Sequence, residues 1–185
     1  QFVNADPDGL VFVNNATSGV NTVLRSLRFK KGEELLVTDQ AYNACRNALE
    51  FAAKTWGAKV VVAKMPFPFR KECELIDPLI EGMTARTRLL MIDHVTSQTG
   101  VILPIGKIIT QARRRGIEVL IDGAHAPGMV PVNLKKLKPT YYTGNCHKWI
   151  CGPKTAAFLY VDRSRRDSIH PLTISHGITS PRQDR

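Results

Sequence analysis

Tyr141-Tyr142-Thr143-Gly144-Asn145-Cys146-His147-Lys148-Trp149, with Gly152-Pro153-Lys154 behind it, is an aromatic, β-prone run that stops at a glycine and then delivers a histidine and a lysine. Upstream, Val119-Leu120-Ile121-Asp122-Gly123-Ala124-His125 does the same with a carboxylate. Around these two breaks, short apolar runs alternate with helical patterns, which is how an α/β sheet reads. Strands are expected at residues 10–13, 34–37, 60–63, 88–93, 118–121, 141–143 and 156–161. Helical stripes fall between them: Val20, Val23, Leu24 and Leu27; then Cys45, Ala48, Leu49 and Ala52, closed by Gly57; then Ile105, Ile108, Ile109 and Ala112. Residues 60–63 are continuously apolar, as buried parallel strands are. Residues 65–73 read as a loop, and Pro78 as the opening of a short helix. The return at Gly152-Pro153 predicts an antiparallel seventh strand.

The strand ends matter more than the strand count. Five of them run into polar clusters, at residues 14–18, 38–43, 94–98, 122–125 and 144–148. In an open parallel sheet those ends share one edge, where ligands bind. A lysine attacks an aldehyde only where its ammonium form is disfavoured, in a partly desolvated place. A pyridine ring kept protonated needs a carboxylate beside its nitrogen. Lys148 and Asp122 are thus the pair that a pyridoxal phosphate (PLP) site requires, although an aspartate at a strand end more commonly caps a turn. Ala16-Thr17-Ser18-Gly19 opens a helix, whose free N–H groups and dipole favour a phosphate. The same residues also suit an ordinary N-cap. Tyr42 offers a ring to stack on a flat pyridine or, more prosaically, an anchor for its helix. No Gly-x-Gly-x-x-Gly or Walker sequence is present, which removes the usual support for dinucleotide and NTP readings.

The run Gly144-Asn145-Cys146-His147-Lys148-Trp149 with Gly152-Pro153-Lys154, taken with Asp122-Gly123-Ala124-His125, resembles the class V aminotransferases among fold-type I PLP enzymes. Through Asn-x-His-Lys-Trp and Tyr42-Asn43-Ala44, it is most similar to their isopenicillin N epimerase-like branch, which is related to the cysteine desulfurases. The resemblance runs from about Val11 to His176. It implies a three-layer αβα sandwich around a mostly parallel seven-stranded sheet, in the order 3-2-4-5-6-7-1 with the seventh strand antiparallel. It further implies that Lys148 forms the Schiff base with the cofactor and then moves the α-proton. By the same likeness Asp122 holds the pyridine nitrogen protonated, Ala16 and Thr17 cradle the phosphate, and Tyr42 stacks on the ring. His125 takes the place of a glutamine that contacts the phenolic oxygen, and Ser97 stands where desulfurases carry an asparagine near the cofactor. Asn145 and His147 join the cofactor-binding set, with a structural role for His147 equally open. Residues 1–177 then read as the PLP-binding large domain, without an N-terminal segment and a C-terminal small domain, and residues 178–185 as a divergent tail. The implied partners are an amino-acid-like substrate and a second copy of the full-length chain.

Composition limits the alternatives. A chain of 185 residues with 43% hydrophobic content has enough apolar material for one substantial core, and no apolar run is long enough to span a bilayer. It begins Gln1-Phe2-Val3-Asn4, neither a methionine nor a signal peptide, and reads as an excerpt or a processed product. The four cysteines (Cys45, Cys73, Cys146, Cys151) form no Cys-x-x-Cys pair, so no metal site is expected. Free thiols suit a reducing, cytoplasmic compartment, and Cys146 is read as packing rather than as a nucleophile. Nearly all of the net charge of +10 comes from residues 105–185, with 14 Lys+Arg against 5 Asp+Glu; residues 1–104 hold 12 against 11. Nucleic-acid binding is disfavoured because the basic clusters lack interleaved aromatics; a solvated or partner-facing surface is expected. The functional expectation is PLP chemistry starting at Cα, whether epimerisation, C–S cleavage or transamination. No mobile cysteine loop of the desulfurase kind is recognisable, which disfavours persulfide chemistry. The alternative is a truncated, non-catalytic domain with a binding or scaffold role.

Overall fold

The structure is a computed structural model that describes residues 2–179. Among them, seven strands form one sheet: β1 (Leu10–Val13), β2 (Glu34–Thr38), β3 (Lys59–Ala63), β4 (Thr87–Asp93), β5 (Glu118–Gly123), β6 (Tyr141–Asn145) and β7 (Ala157–Val161). The helices are α1 (Ala16–Ser26), α2 (Asn43–Trp56), α3 (Cys73–Gly82), α4 (Ile105–Arg114) and the single-turn α5 (Leu134–Leu137). The order across the sheet is β1-β7-β6-β5-β4-β2-β3, and β7 alone runs antiparallel to both neighbours. This is the expected order read from the other side. The tail from residue 180 onward lies outside the described residues.

Alternation along the strands explains the three layers. Leu35, Val37, Leu89, Met91, Leu120, Tyr141 and Leu159 pack on one face against Val20, Val23 and Leu24 of α1 and Leu49 and Ala52 of α2. Their neighbours Leu36, Leu90, Ile92, Val119, Ile121, Tyr142 and Phe158 pack on the other face against Leu75 and Leu79 of α3 and Ile105, Ile108 and Ile109 of α4. Local chemistry sets the helix ends. The Asn15 side chain accepts the Ser18 N–H to cap α1, and Gly57, at φ 68°, closes α2 with bonds to Ala53 and Lys54 carbonyls.

Three expectations differ in detail. β3 is parallel but lies at the edge, pairing with β2 alone, and Val62 is 38% exposed; its apolar run does not signal double-sided burial. Pro78 sits inside α3 rather than at its start, where it forfeits one intrahelical bond. β6 extends two residues beyond Thr143, which carries the backbone of Gly144 and Asn145 into the sheet. The basic residues gather at the other edge of the sheet from the strand ends singled out above. There Arg88 and Arg165 pair with the buried Glu118, Arg86 pairs with Glu34, and Arg113 donates to the Lys138 carbonyl.

Candidate active site

Parallel register aligns the strand ends. Asp93 pairs with Asp122, and Gly123 with Gly144, so the loops that follow open on one edge. α1 is drawn into the same place by Gly19: a Cβ there would lie 2.3 Å from Thr143 Oγ1, so only glycine lets the helix sit this close to β6. The result is a cavity of about 230 Å³. All nine sequence-predicted residues line it: Ala16, Thr17, Tyr42, Ser97, Asp122, His125, Asn145, His147 and Lys148. Asn15, Asp93 and Ala124 complete the wall and were not singled out from the sequence.

Asp122 is 3% exposed at the base of the crevice. Its Oδ1 accepts the Ala124 N–H at 3.0 Å and its Oδ2 accepts the Cys45 thiol at 3.0 Å. Burial and the Asp122 charge push the Cys45 thiol far up, so it stays a donor. Cys45 had been read only as part of an apolar helix stripe. Beside Asp122, burial and the same charge raise the Asp93 carboxyl well above the carboxylate range. Two buried carboxyls side by side resist double ionisation, so Asp93 is the partner that takes the proton while Asp122 keeps its thiol and amide donors.

Lys148 leaves the loop after β6 half-buried, and its Nζ lies 2.9 Å from His125 Nε2. Desolvation lowers the lysine, while Asp122, Cys45 and Asp93 pull the other way. His125 is lowered too, by burial and then by the lysine. His147 turns Nδ1 to the Ala156 carbonyl at 3.2 Å, which fixes the proton there and leaves Nε2 as an acceptor. Asn145 is buried and spends its Oδ1 on the Ala16 N–H at 2.7 Å. Ser18 N–H is held by Asn15 at 2.7 Å. The Thr17 N–H between them takes no acceptor within the described residues. Tyr42 is 44% exposed, immediately before α2. Ser97 is exposed, and its neighbour Gln98 donates to the Ala41 carbonyl at 3.3 Å, tying the loop after β4 to the Tyr42 segment. Cys146 is half-buried against the core and its thiol is raised by burial, in keeping with packing.

Behind the crevice His94 is buried with Nδ1 2.8 Å from the Tyr142 hydroxyl. Desolvation holds its pKa down at about 4, against 6.5 unperturbed. The unfolded chain therefore binds the extra proton first, and stability is lost as pH falls from 6.5 toward 4. Asp93, raised rather than lowered, contributes with the opposite sign, so the comparison must be between variants. Over that window, wild-type unfolding free energy should fall more than that of His94→Asn, by on the order of 3 kcal/mol. Denaturant titrations at several pH values read the difference directly.

A sequence profile of the aminotransferase class-V family matches residues 1–182. The isopenicillin N epimerase of Streptomyces clavuligerus is 33% identical over 181 residues, 98% of this chain and 46% of that protein. A probable chloroplastic L-cysteine desulfhydrase of Arabidopsis thaliana is 34% identical over 93% of this chain and 39% of its own length. Among solved structures, a variant of the lyase C-DES with glycine covalently linked to its PLP cofactor superposes with a TM-score of 0.85 at 25% identity, covering 94% of this chain and 46% of that one. The chain thus spans less than half the length of these relatives. With the sheet order, the two-sided helix packing and the profile match in agreement, the chain belongs to the aminotransferase class-V family.

Proposed function

We propose that this chain is the cofactor-binding domain of a PLP-dependent enzyme that acts at the Cα of an amino-acid-like substrate. The observation that carries the reading is one cavity joining a partly desolvated amine, a buried carboxylate and a helix start whose Thr17 N–H has no acceptor among the described residues. Those groups fit the cofactor's chemistry. Asp122 suits the ring nitrogen, Tyr42 the ring face, His125 the phenolic oxygen, and Thr17 with the α1 dipole the phosphate. When bound, PLP supplies an aldehyde that captures amines and a ring that accepts negative charge from Cα. Lys148, whose ammonium form is disfavoured by desolvation, would be the nucleophile toward that aldehyde and afterwards the base that removes the α-proton. Asp122, held by two donors in a water-poor place, is the acceptor that a protonated ring nitrogen would meet. His147 Nε2, free to accept, is placed to steer substrate or phosphate. A purely structural domain has no use for a desolvated lysine facing two carboxyls, so the non-catalytic reading is not favoured.

Epimerisation, C–S cleavage and transamination all start with this proton removal, and the names of the relatives span the first two. In the full-length protein we take the assembly to be a homodimer in a cytoplasmic, reducing compartment. Exposed Trp149, Ile150 and Met129 support a covering surface, and four free thiols support the compartment. The pairing of Arg86, Arg88, Arg165 and Arg166 with carboxylates supports a surface not meant for nucleic acid. No described helix is long and apolar enough to cross a membrane. PLP titration, followed by borohydride reduction and peptide mapping, tests the assignment: a visible band should develop and the pyridoxyl label should map to Lys148. A label on Lys154 or Lys107 would sink it. Repeating the titration on a chain extended at both ends should give a dimer with tighter binding. Equal affinity from the short chain as a monomer would remove the dimer from the proposal.

A further inference from the structure

We infer that Trp149 is a positioning residue for Lys148, acting through the tautomer of His125. An indole N–H only donates. Trp149 Nε1 donates to His125 Nδ1 at 3.3 Å, so Nδ1 is bare and the ring proton is on Nε2. That Nε2–H faces Lys148 Nζ at 2.9 Å. The contact is a hydrogen bond only if Nζ offers a lone pair, which means a neutral amine. With an ammonium at Nζ, Nε2 would have to accept and the ring proton would move to Nδ1. There it would meet the indole N–H, donor against donor. Trp149 thus opposes the lysine ammonium and the imidazolium alike, through its one bond to His125 Nδ1.

The surroundings support the arrangement. Gly128 has φ 89°, and a Cβ there would lie 2.6 Å from the Trp149 carbonyl carbon. The loop after β5, which carries His125, is therefore pressed onto the Trp149 backbone. Groups facing Nζ from other elements pull the other way: Asp122 on β5, Asp93 on β4 and Cys45 on α2 all favour the charged lysine, while Tyr42 and His147 line the same cavity. Desolvation is the largest influence on Lys148 and lowers it against those charges, and the tautomer lock adds to it a directional constraint. The sequence placed Trp149 inside the resemblance motif but gave it no part in the site.

The inference rests on Lys148 being the reacting amine, but its test needs no cofactor. Two measurements on the cofactor-free protein decide it. Nitrogen-15 NMR of the imidazole should show His125 protonated at Nε2 in the wild type and a mixture of tautomers in Trp149→Phe. Competitive labelling with trace acetic anhydride across pH, read by mapping the Lys148 peptide, should give a midpoint about one pH unit higher in Trp149→Phe. In a His125→Gln background, where no ring tautomer exists, Trp149→Phe should leave the midpoint unmoved. Trp149 is 52% exposed, and circular dichroism melts check that the variant stays folded. A wild-type His125 carrying its proton on Nδ1, or a Lys148 midpoint unchanged by Trp149→Phe, would overturn the inference, whatever the PLP titration shows.

Discussion

Lys148→Ala, made in a chain of the relatives' full length, should lose the borohydride-reducible bond altogether and slow α-deuterium exchange by roughly 10³-fold or more. The variant removes both the nucleophile and the base, and no other lysine lines the crevice to replace the nucleophile. His125 is the nearest nitrogen, but its Nε2 carries a proton held toward the missing amine. His147 has its own base at Nε2, and a residual rate that falls further in Lys148→Ala/His147→Ala would identify it as the substitute. Cofactor should still bind, held by Asp122 and the α1 N-terminus, so a spectrum of free aldehyde in the site is expected. A Lys148→Ala protein that exchanges within about tenfold of wild type would require another base altogether.

Asp122→Asn is expected to keep the fold and the cofactor while α-deuterium exchange falls by roughly 10²–10³-fold. The amide oxygen can still accept the Ala124 N–H, and the amide nitrogen then faces the Cys45 sulfur, a weak acceptor. What disappears is a fixed negative charge in a place with little water, where such charge acts most strongly. Removing that charge also removes one of the causes that raise Asp93. Asp93 is then free to ionise in its stead, although it lacks the thiol and amide donors that hold Asp122. A double variant, Asp122→Asn with Asp93→Asn, separates direct loss from such compensation: a further drop means that Asp93 had taken over part of the charge. Unchanged exchange in the single variant would return Asp122 to the role of a turn residue.

The contrast between these two carboxyls shows how far the sequence could be read. Asp122 was legible because it ends an apolar run and precedes Gly123-Ala124-His125. Asp93 also ends an apolar run, but its importance comes from the register Asp93↔Asp122 across β4 and β5, a pairing between residues far apart that no local pattern encodes. Cys45 was concealed in the same way. It satisfies a helical stripe, and only the packing of α2 on the sheet brings its thiol to the carboxylate. Asn15 lay within a polar cluster, yet its cap on Ser18 was visible only with the helix start in place. Strand positions were legible from apolar runs; strand neighbours were not. Val60-Val61-Val62 reads as interior, and the edge position of β3 is a property of the whole sheet order. That order came from the family resemblance, not from periodicity.

The antiparallel strand also has a consequence for how such a chain is assembled as it is made. Leu10 pairs with Tyr160, whereas Glu34 pairs with Lys59, so the first strand closes over 150 residues and the second over 25. By chain entropy alone the wider closure costs about 1.5 kcal/mol more. Among the described residues β1 has no sheet neighbour other than β7. On a translating ribosome, Leu10–Val13 must wait for its partner until β7, the last described strand, has emerged, while β2, β3 and β4 are already free to pair. Ala16 and Thr17 follow that waiting strand, so the α1 wall of the crevice is set only after the wall that carries Asp93 and Asp122. Of the described strands, the first synthesised is the last to be placed, and the crevice wall it carries closes only then.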